Sequence, residues 1–415
     1  MFSQKAKKRI HFELTNLIQI NNLTRANFAF EVSSEGELEQ VNPLLNYLLD
    51  SGETVELVFC SESVEHRCKE LKEKYPNQLR IFRYPILTFR PFSKTKNINK
   101  WLTAKTLFLC RYDFFPELMK YGKRKDIRFI LLSGAAQTYP QKGVLAKWYL
   151  KNCYQSFDQI VAATIKDEAH FIKYCSIQKI NIDHFDFRMI NIAKRIENKD
   201  KSISNKFEIF NKLDSELISK YKNRNIFGSF WAQEVTGFNK QVLVESSAEN
   251  INCIAPHLLD NTSLNDLLSA FGNVNIPTYQ INNTTTESEL DSYIDEFKIK
   301  PGVWIFNVKG VLCELYAYFN RAYIGGGFGE SIHSVLEPYL NGCEVYHGPK
   351  CHRSSELTYI ERKSPDRVNL VSEVENILEI MTQPSNNEGQ KETHFDGQII
   401  KDYERILIWL KLKMG

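Results

Sequence analysis

Short apolar runs alternate with longer segments of helical period along most of this chain. Phe28 to Val32, Val55 to Cys60, Leu79 to Tyr84, Thr106 to Cys110, Arg128 to Leu132 and Gln159 to Ala163 read as core strands, with helices such as Glu37 to Leu49 and Glu65 to Lys74 between them. The rhythm resumes at Asn225 to Gly228, Asn252 to Ala255, Val303 to Asn307, Ala322 to Ile324 and Glu344 to Tyr346. Alternation of this kind predicts parallel sheets covered by helices on both faces. From about Ile192 to Asn223 the composition shifts to Lys, Asn, Ser and Glu, which marks a connection. The predicted fold class is therefore α/β, with two Rossmann-like doubly wound domains facing each other across a cleft. They span 1–195 and 224–415, joined by 196–223, and Gln398 to Lys413 is expected as a closing helix of the second domain.

A length of 415 residues gives each domain room for its own core, and 43% hydrophobic with 25% charged residues is ordinary globular composition. A net charge of +3 provides no broad attraction for nucleic acid. The nine cysteines include no C-x-x-C pair, a pattern of reduced thiols in a cytosolic protein. Cys343, His347, Cys351 and His352 crowd together without the ligand spacing of structural zinc sites, so no metal is predicted. No apolar run reaches the roughly 18 residues of a membrane span. Lys5, Lys7, Lys8 and Arg9 precede an apolar stripe, Ile10, Leu14, Leu17 and Ile18. That segment can either rest on an anionic bilayer surface or pack on its own domain.

The densest chemistry lies between Arg321 and Lys350. Ala322 to Ile324 reads as a buried strand, Gly325, Gly326, Gly327, Phe328 and Gly329 as a turn, and Ser331 onward as a helix that Ser331 can cap. Such an order turns backbone N–H groups and a helix dipole toward a phosphate, although close packing alone also selects glycine here. His333 and Glu337, four apart, are expected on one helix face, with Glu337 placed to accept the vicinal hydroxyls of a ribose. Pro338 implies a kink in that helix. The spacing departs from G-x-G-x-x-G, so the dinucleotide fingerprint is absent.

Other strand ends add candidates. Glu37 follows the first strand at the start of a helix, where it suits either a general base or a dipole-complementing acid. Arg111 with Asp113, and Asp186 with Arg188, fall at further edges or are surface charge pairs. Gly228, Ser229 and Trp231 follow the first strand of the second half, and Pro256 with His257 follow its neighbour.

These residues, taken in order, resemble the 3-deoxy-manno-octulosonic acid (Kdo) transferases of lipopolysaccharide synthesis, glycosyltransferases of the GT-B type. Ser34, Glu35, Gly36 and Glu37 with Pro43 match the family's S-x-G-E motif, and Gly325 through Glu337 match its glycine-loop motif. Gly228, Ser229 and Trp231 fit a G-S-x-W motif, Pro256 and His257 a P-H motif, and Gly348 with Pro349 a trailing G-P. The resemblance implies inverting transfer of Kdo from CMP-Kdo to a lipid A precursor, with no cofactor. It makes Glu37 the catalytic base and Gly327, His333, Ser334 and Glu337 donor residues. Ser34, Gly36, Arg111 and Asp113 fall on the acceptor side, with Arg90, Lys94, Lys96 and the Lys123 to Lys125 cluster as cations for acceptor phosphates. It further implies a peripheral protein on the cytoplasmic face of the bacterial inner membrane, the basic amphipathic segment substituting for the family's usual anchor. Ser334 stands where the family has asparagine, and Ser133 to Gln137 departs from its N-A-R-L-S sequence. These departures leave open a different surface-polysaccharide acceptor, or nucleotide-sugar binding without turnover.

Overall fold

A computed structural model describes residue 11 and residues 25–84, 102–111, 116–136, 139–197, 208–329, 331–351, 354–383 and 397–414. The chain divides into two compact units, residues 1–191 with 399–415, and residues 192–398. Seven strands form the first sheet: β1 (Phe28–Val32), β2 (Val55–Phe59), β3 (Leu79–Arg83), β4 (Thr106–Cys110), β5 (Arg128–Gly134), β6 (Gln159–Ala162) and β7 (Ile182–His184). Their order is β3-β2-β1-β4-β5-β6-β7, and every pairing is parallel. The inner strands β2 and β4 are buried at every position, as a sheet covered on both faces requires.

Helix Glu35–Asp50 follows β1, with Ser34 as its N-cap. Pro43 lies inside it and has no N–H to give Glu39, four residues back. The carbonyl of Glu39 instead accepts from Asn191 Nδ2 at 2.5 Å. The Pro43 carbonyl accepts from the Tyr403 hydroxyl at 2.8 Å, and Tyr403 also packs edge-on against Phe187. Tyr403 belongs to helix Gln398–Met414, so the closing helix packs in the first unit and not, as expected, in the second.

The second sheet comprises β8 (Asn223–Phe230), β9 (Asn250–Pro256), β10 (Thr278–Asn282), β11 (Val303–Asn307), β12 (Arg321–Ile324), β13 (Glu344–His347) and β14 (Val368–Leu370). Its order is β10-β11-β9-β8-β12-β13-β14, again parallel throughout. Phe227, Phe230, Phe238, Phe271 and Tyr323 dominate the core on one face of this sheet, with rings mostly tilted or edge to face. The sequence pattern missed β7, β10 and β14, which are short and all lie at sheet edges. The division falls at Asn191 and Ile192, inside helix Phe187–Glu197, where the composition begins to shift and four residues before the expected domain end at 195.

Candidate functional site

In the second sheet β8 lies between β9 and β12, and from it the strand order runs outward both ways. Such a switch point opens a crevice at the carboxyl ends of the strands. Gly228 and Ile324 are register partners there, and Gly325 N–H donates to Gly228 O at 2.9 Å. A Cβ on Gly325 would stand 2.2 Å from Ser229 O, and one on Gly327 would stand 2.6 Å from the Cα and N of Gly348. Gly326 has φ +91°, a region costly for any side chain. Glycine at 325 and 327 thus lets three strand-end turns touch through backbone.

Glu234, fully buried, pins the same turns. Its Oε1 accepts from the Tyr323 hydroxyl at 2.8 Å and Gly326 N–H at 3.1 Å, and its Oε2 from Trp231 N–H at 3.0 Å. Burial raises its pKa, and the three donors oppose that rise. Beside these turns Trp231 stacks on His257 at 4.4 Å between ring centroids, and His257 stacks on His333 at 4.1 Å. Burial lowers both imidazole pKa values, and for His333 burial together with neighbouring His257 brings it down to about 4. Both rings are therefore neutral at pH 7 and present a hydrogen-bonding edge instead of a fixed charge.

A pocket of about 310 Å³ opens here, lined by Arg195, Ser229, Gly310, Tyr316, His333, Ser334 and Glu337, among others. Arg195 is held in place by two bonds to the Glu314 carboxylate and donates to Gly310 O at 2.7 Å. Ser229 takes a left-handed φ of +51° at the rim.

One expectation for this loop does not hold. Residues 331–335 are not helical, and the helix spans just Leu336–Leu340. His333 and Glu337 therefore share the pocket but no helix face. The helix start is filled by the protein's own Glu356, whose Oε2 accepts from Ser334 Oγ at 2.8 Å, Val335 N–H at 3.0 Å and Leu336 N–H at 3.1 Å. A phosphate over this helix end would meet that carboxylate, so the proposed dipole contact is withdrawn. Pro338 lies in the first turn, where its missing N–H costs nothing, and no kink is needed.

The first unit has a switch point of its own, between β1 and β4. Glu37 is buried there and closes a cap: its N–H donates to Ser34 Oγ at 3.3 Å, and its Oε2 accepts from Ser33 N–H at 2.6 Å. Arg111, at φ +59°, donates from Nε to Gln40 Oε1 at 3.2 Å, which brings it to the same helix. Gly36 has open space where a Cβ would be. Arg90, Lys94, Lys96 and Asp113 lie outside the described residues, as does the basic segment before Arg25 apart from His11. Asp186 caps helix Phe187–Glu197 through Arg188 N–H and pairs with the Arg188 side chain, an ordinary local charge pair. Cys343 is buried with its thiol donating to Tyr316 O and Phe319 O. Glu168, Asp183 and His184 cluster, but Lys179 and Arg405 reach into the cluster and neutralise it.

Sequence reasoning missed Glu234, Arg195 and Glu356. Only Glu234 carried a local signal, an acid three residues after the turn at Trp231.

Residues 6–183 match the family model described as 3-deoxy-D-manno-octulosonic-acid transferase. The matched segment is similar to that family and makes up less than half of the chain. It contains Ser34, Gly36, Glu37 and Arg111, while the pocket of the second unit lies beyond it. A search of the curated proteins finds no match to the chain. Among solved structures, UDP-GlcNAc 2-epimerase from Neisseria meningitidis bound to UDP-GlcNAc is similar over 93% of this chain and 100% of its own, at 12% identity and TM-score 0.59. Anabaena HepE in complex with UDP is similar over 93% and 99%, at 9% identity and TM-score 0.55. The C-terminal CMP-Kdo binding domain of WaaA from Acinetobacter baumannii aligns over 47% of this chain and 96% of its own, at 16% identity and TM-score 0.34. The fold is of the GT-B type, two doubly wound units in one chain.

Proposed function

We propose that this chain is a glycosyltransferase that moves Kdo from CMP-Kdo to a hydroxyl of a lipid A precursor, with inversion at the anomeric carbon. The observation that carries the reading is the switch-point pocket, in a chain whose other unit matches the Kdo-transferase family model. The pocket supplies what a nucleotide-sugar donor needs. Glu337 offers acceptors for ribose hydroxyls, Ser229, Ser334 and the two imidazoles offer hydrogen bonds, and Arg195 offers a cation toward phosphate or the sugar carboxylate. These groups replace the helix dipole in stabilising the negative charge that develops on departing CMP.

Glu37 would be the general base. As the acceptor oxygen bonds to the anomeric carbon, its proton passes to the Glu37 carboxylate, and the C–O pair leaves with the CMP phosphate. The bond from Ser33 N–H holds the carboxylate in place. The partners are thus a nucleotide-sugar donor and a phosphorylated lipid acceptor at an anionic membrane surface on the cytoplasmic side. The reading includes neither a cofactor nor nucleic acid.

Mass spectrometry of the product from CMP-Kdo and a lipid A precursor tests this directly. A mass increase of one Kdo unit is expected with the wild type, and Glu37→Gln should abolish it while CMP binding persists. A product formed at the wild-type rate by Glu37→Gln would remove Glu37 from the chemistry.

A further inference from the structure

Glu31 lies in β1 of the first unit, in register with Val58 of β2, and no part of it reaches solvent. Side chains two apart on a strand share a face, so Glu31 stands on the side of Ala29. Ala29 and Val58 belong there to an apolar cluster that also holds Phe82, Leu107 and Leu109. A carboxylate is costly to bury at such a position unless hydrogen bonds hold it. Glu31 Oε1 accepts two, from Ser33 Oγ at 3.0 Å and from the Cys60 thiol at 3.3 Å. Cys60 follows β2, and its own N–H donates to Val32 O at 3.2 Å, which ties the two strand ends together beside the carboxylate.

Ser33 serves a second carboxylate as well. Its N–H donates to Glu37 Oε2 at 2.6 Å, while its hydroxyl goes to Glu31. One serine therefore joins two buried acids, and both of its donors are committed. An acceptor for the hydroxyl selects the rotamer of Ser33, and the engaged amide fixes how the chain leaves β1 and enters helix Glu35–Asp50. Cys110, at the end of β4, marks the same neighbourhood: burial pushes its thiol pKa well above the ordinary range, and Glu37 and Glu31 both add to the rise. Glu31 and Ser33 precede the S-x-G-E motif, which begins at Ser34.

We propose that Glu31 is a positioning residue for the transfer reaction: through Ser33 it holds the turn that aims the Glu37 carboxylate at the acceptor hydroxyl. It touches neither substrate and acts by denying the turn other conformations, which is how a supporting hydrogen bond sharpens a reacting group. The proposal rests on the reading of Glu37 as the base.

Steady-state transfer from CMP-Kdo to a lipid A precursor by the full chain, with hydrogen exchange at the residue 33 amide, tests the proposal. Glu31→Leu and Ser33→Ala should each lower kcat by roughly tenfold to hundredfold, the scale of a misplaced reacting group, and leave KM for both substrates unchanged. Glu31→Gln keeps an oxygen that accepts from the Ser33 hydroxyl and should restore most of the lost kcat. Because the two residues act as one unit, Glu31→Leu/Ser33→Ala should lose no more than Glu31→Leu alone. Exchange of the Ser33 amide should quicken by roughly tenfold or more in Glu31→Leu and hold in Glu31→Gln. Should Glu31→Leu fail to fold, Ser33→Ala removes just a hydroxyl oxygen at a half-buried turn and carries the kinetic test. A full rate in Glu37→Gln overturns the base assignment. Loss of rate in Glu37→Gln with wild-type kcat in both Glu31→Leu and Ser33→Ala overturns the proposal alone, as does a double variant whose losses multiply. The exchange measurement needs no substrate, and an unchanged Ser33 amide in Glu31→Leu overturns the proposal whatever the protein transfers.

Discussion

Replacing Gly327 by Ala is the sharpest structural perturbation of the pocket floor. The new Cβ would lie 2.6 Å from the Cα and N of Gly348, whereas ordinary contact begins near 3.4 Å. The turns after β12 and β13 must then part by about 0.8 Å, the difference of those two distances. Both contacting atoms are backbone, so no side chain can rotate away. Lys350 N–H donates to Gly327 O at 2.9 Å, and the same shift would carry it beyond hydrogen-bond range. Overpacking at about 1–3 kcal/mol plus one lost hydrogen bond at about 1 kcal/mol gives roughly 2–4 kcal/mol. For units of this size that lowers Tm by roughly 4–16 °C, read by calorimetry. Gly272→Ala is the matched control, because it sits in helix Asn261–Asn273 with nothing within 4 Å of its Cβ. The control should gain up to about 1 kcal/mol. A Gly327→Ala protein that melts with wild type would refute the claim that close backbone approach selects glycine there.

Three other outcomes follow from the same geometry. Gly36→Ala should hold or raise stability, by up to about 1 kcal/mol in urea unfolding, since its Cβ meets open space in a helix. It should nonetheless raise KM for the acceptor, and an unchanged KM would take Gly36 out of acceptor binding. Glu356→Ala removes the partner of three donors and should cost about 2–4 kcal/mol by urea unfolding, with a cost below about 0.5 kcal/mol counting against the cap. The pKa of His333, lowered to about 4, lets the unfolded chain bind a proton that the folded chain refuses between pH 6.5 and 4. Wild-type stability should therefore fall across that window on acidification, and His333→Gln should flatten the fall in urea midpoints. Parallel slopes for the two proteins would contradict the burial argument.

The inner strands were legible because burial on both faces leaves continuous apolar runs, as in Val55–Phe59 and Thr106–Cys110. Edge strands β10 and β14, with sequences Thr-Tyr-Gln-Ile-Asn and Val-Asn-Leu, lack that signature because one edge is unpaired and they lie half in water. The glycine turn was legible too, and the clash distances at Gly325 and Gly327 supply the reason for it. What the local pattern misjudged was the segment after it. Ser331 to Val335 has caps and periodicity suited to a helix, but Ile332 N–H is taken by Lys350 O and Val335 N–H by Glu356, partners remote in sequence. Tertiary hydrogen bonds thus override helix propensity over that turn. The stacked rings escaped notice for a related reason. Trp231, His257 and His333 stand on three separate strand-end turns, and only the order β9-β8-β12 brings them together. Arg195 is further still, on a helix with no motif near it.

Calorimetric titration of CMP-Kdo into the wild type and into His333→Ala and Glu337→Gln tests most directly whether the switch-point pocket holds the donor. Saturable binding by the wild type, weakened tenfold or more by each substitution while the melting temperature holds, is the predicted result. Equal affinity in all three proteins, or no heat with the wild type, would place the donor elsewhere and contradict the account.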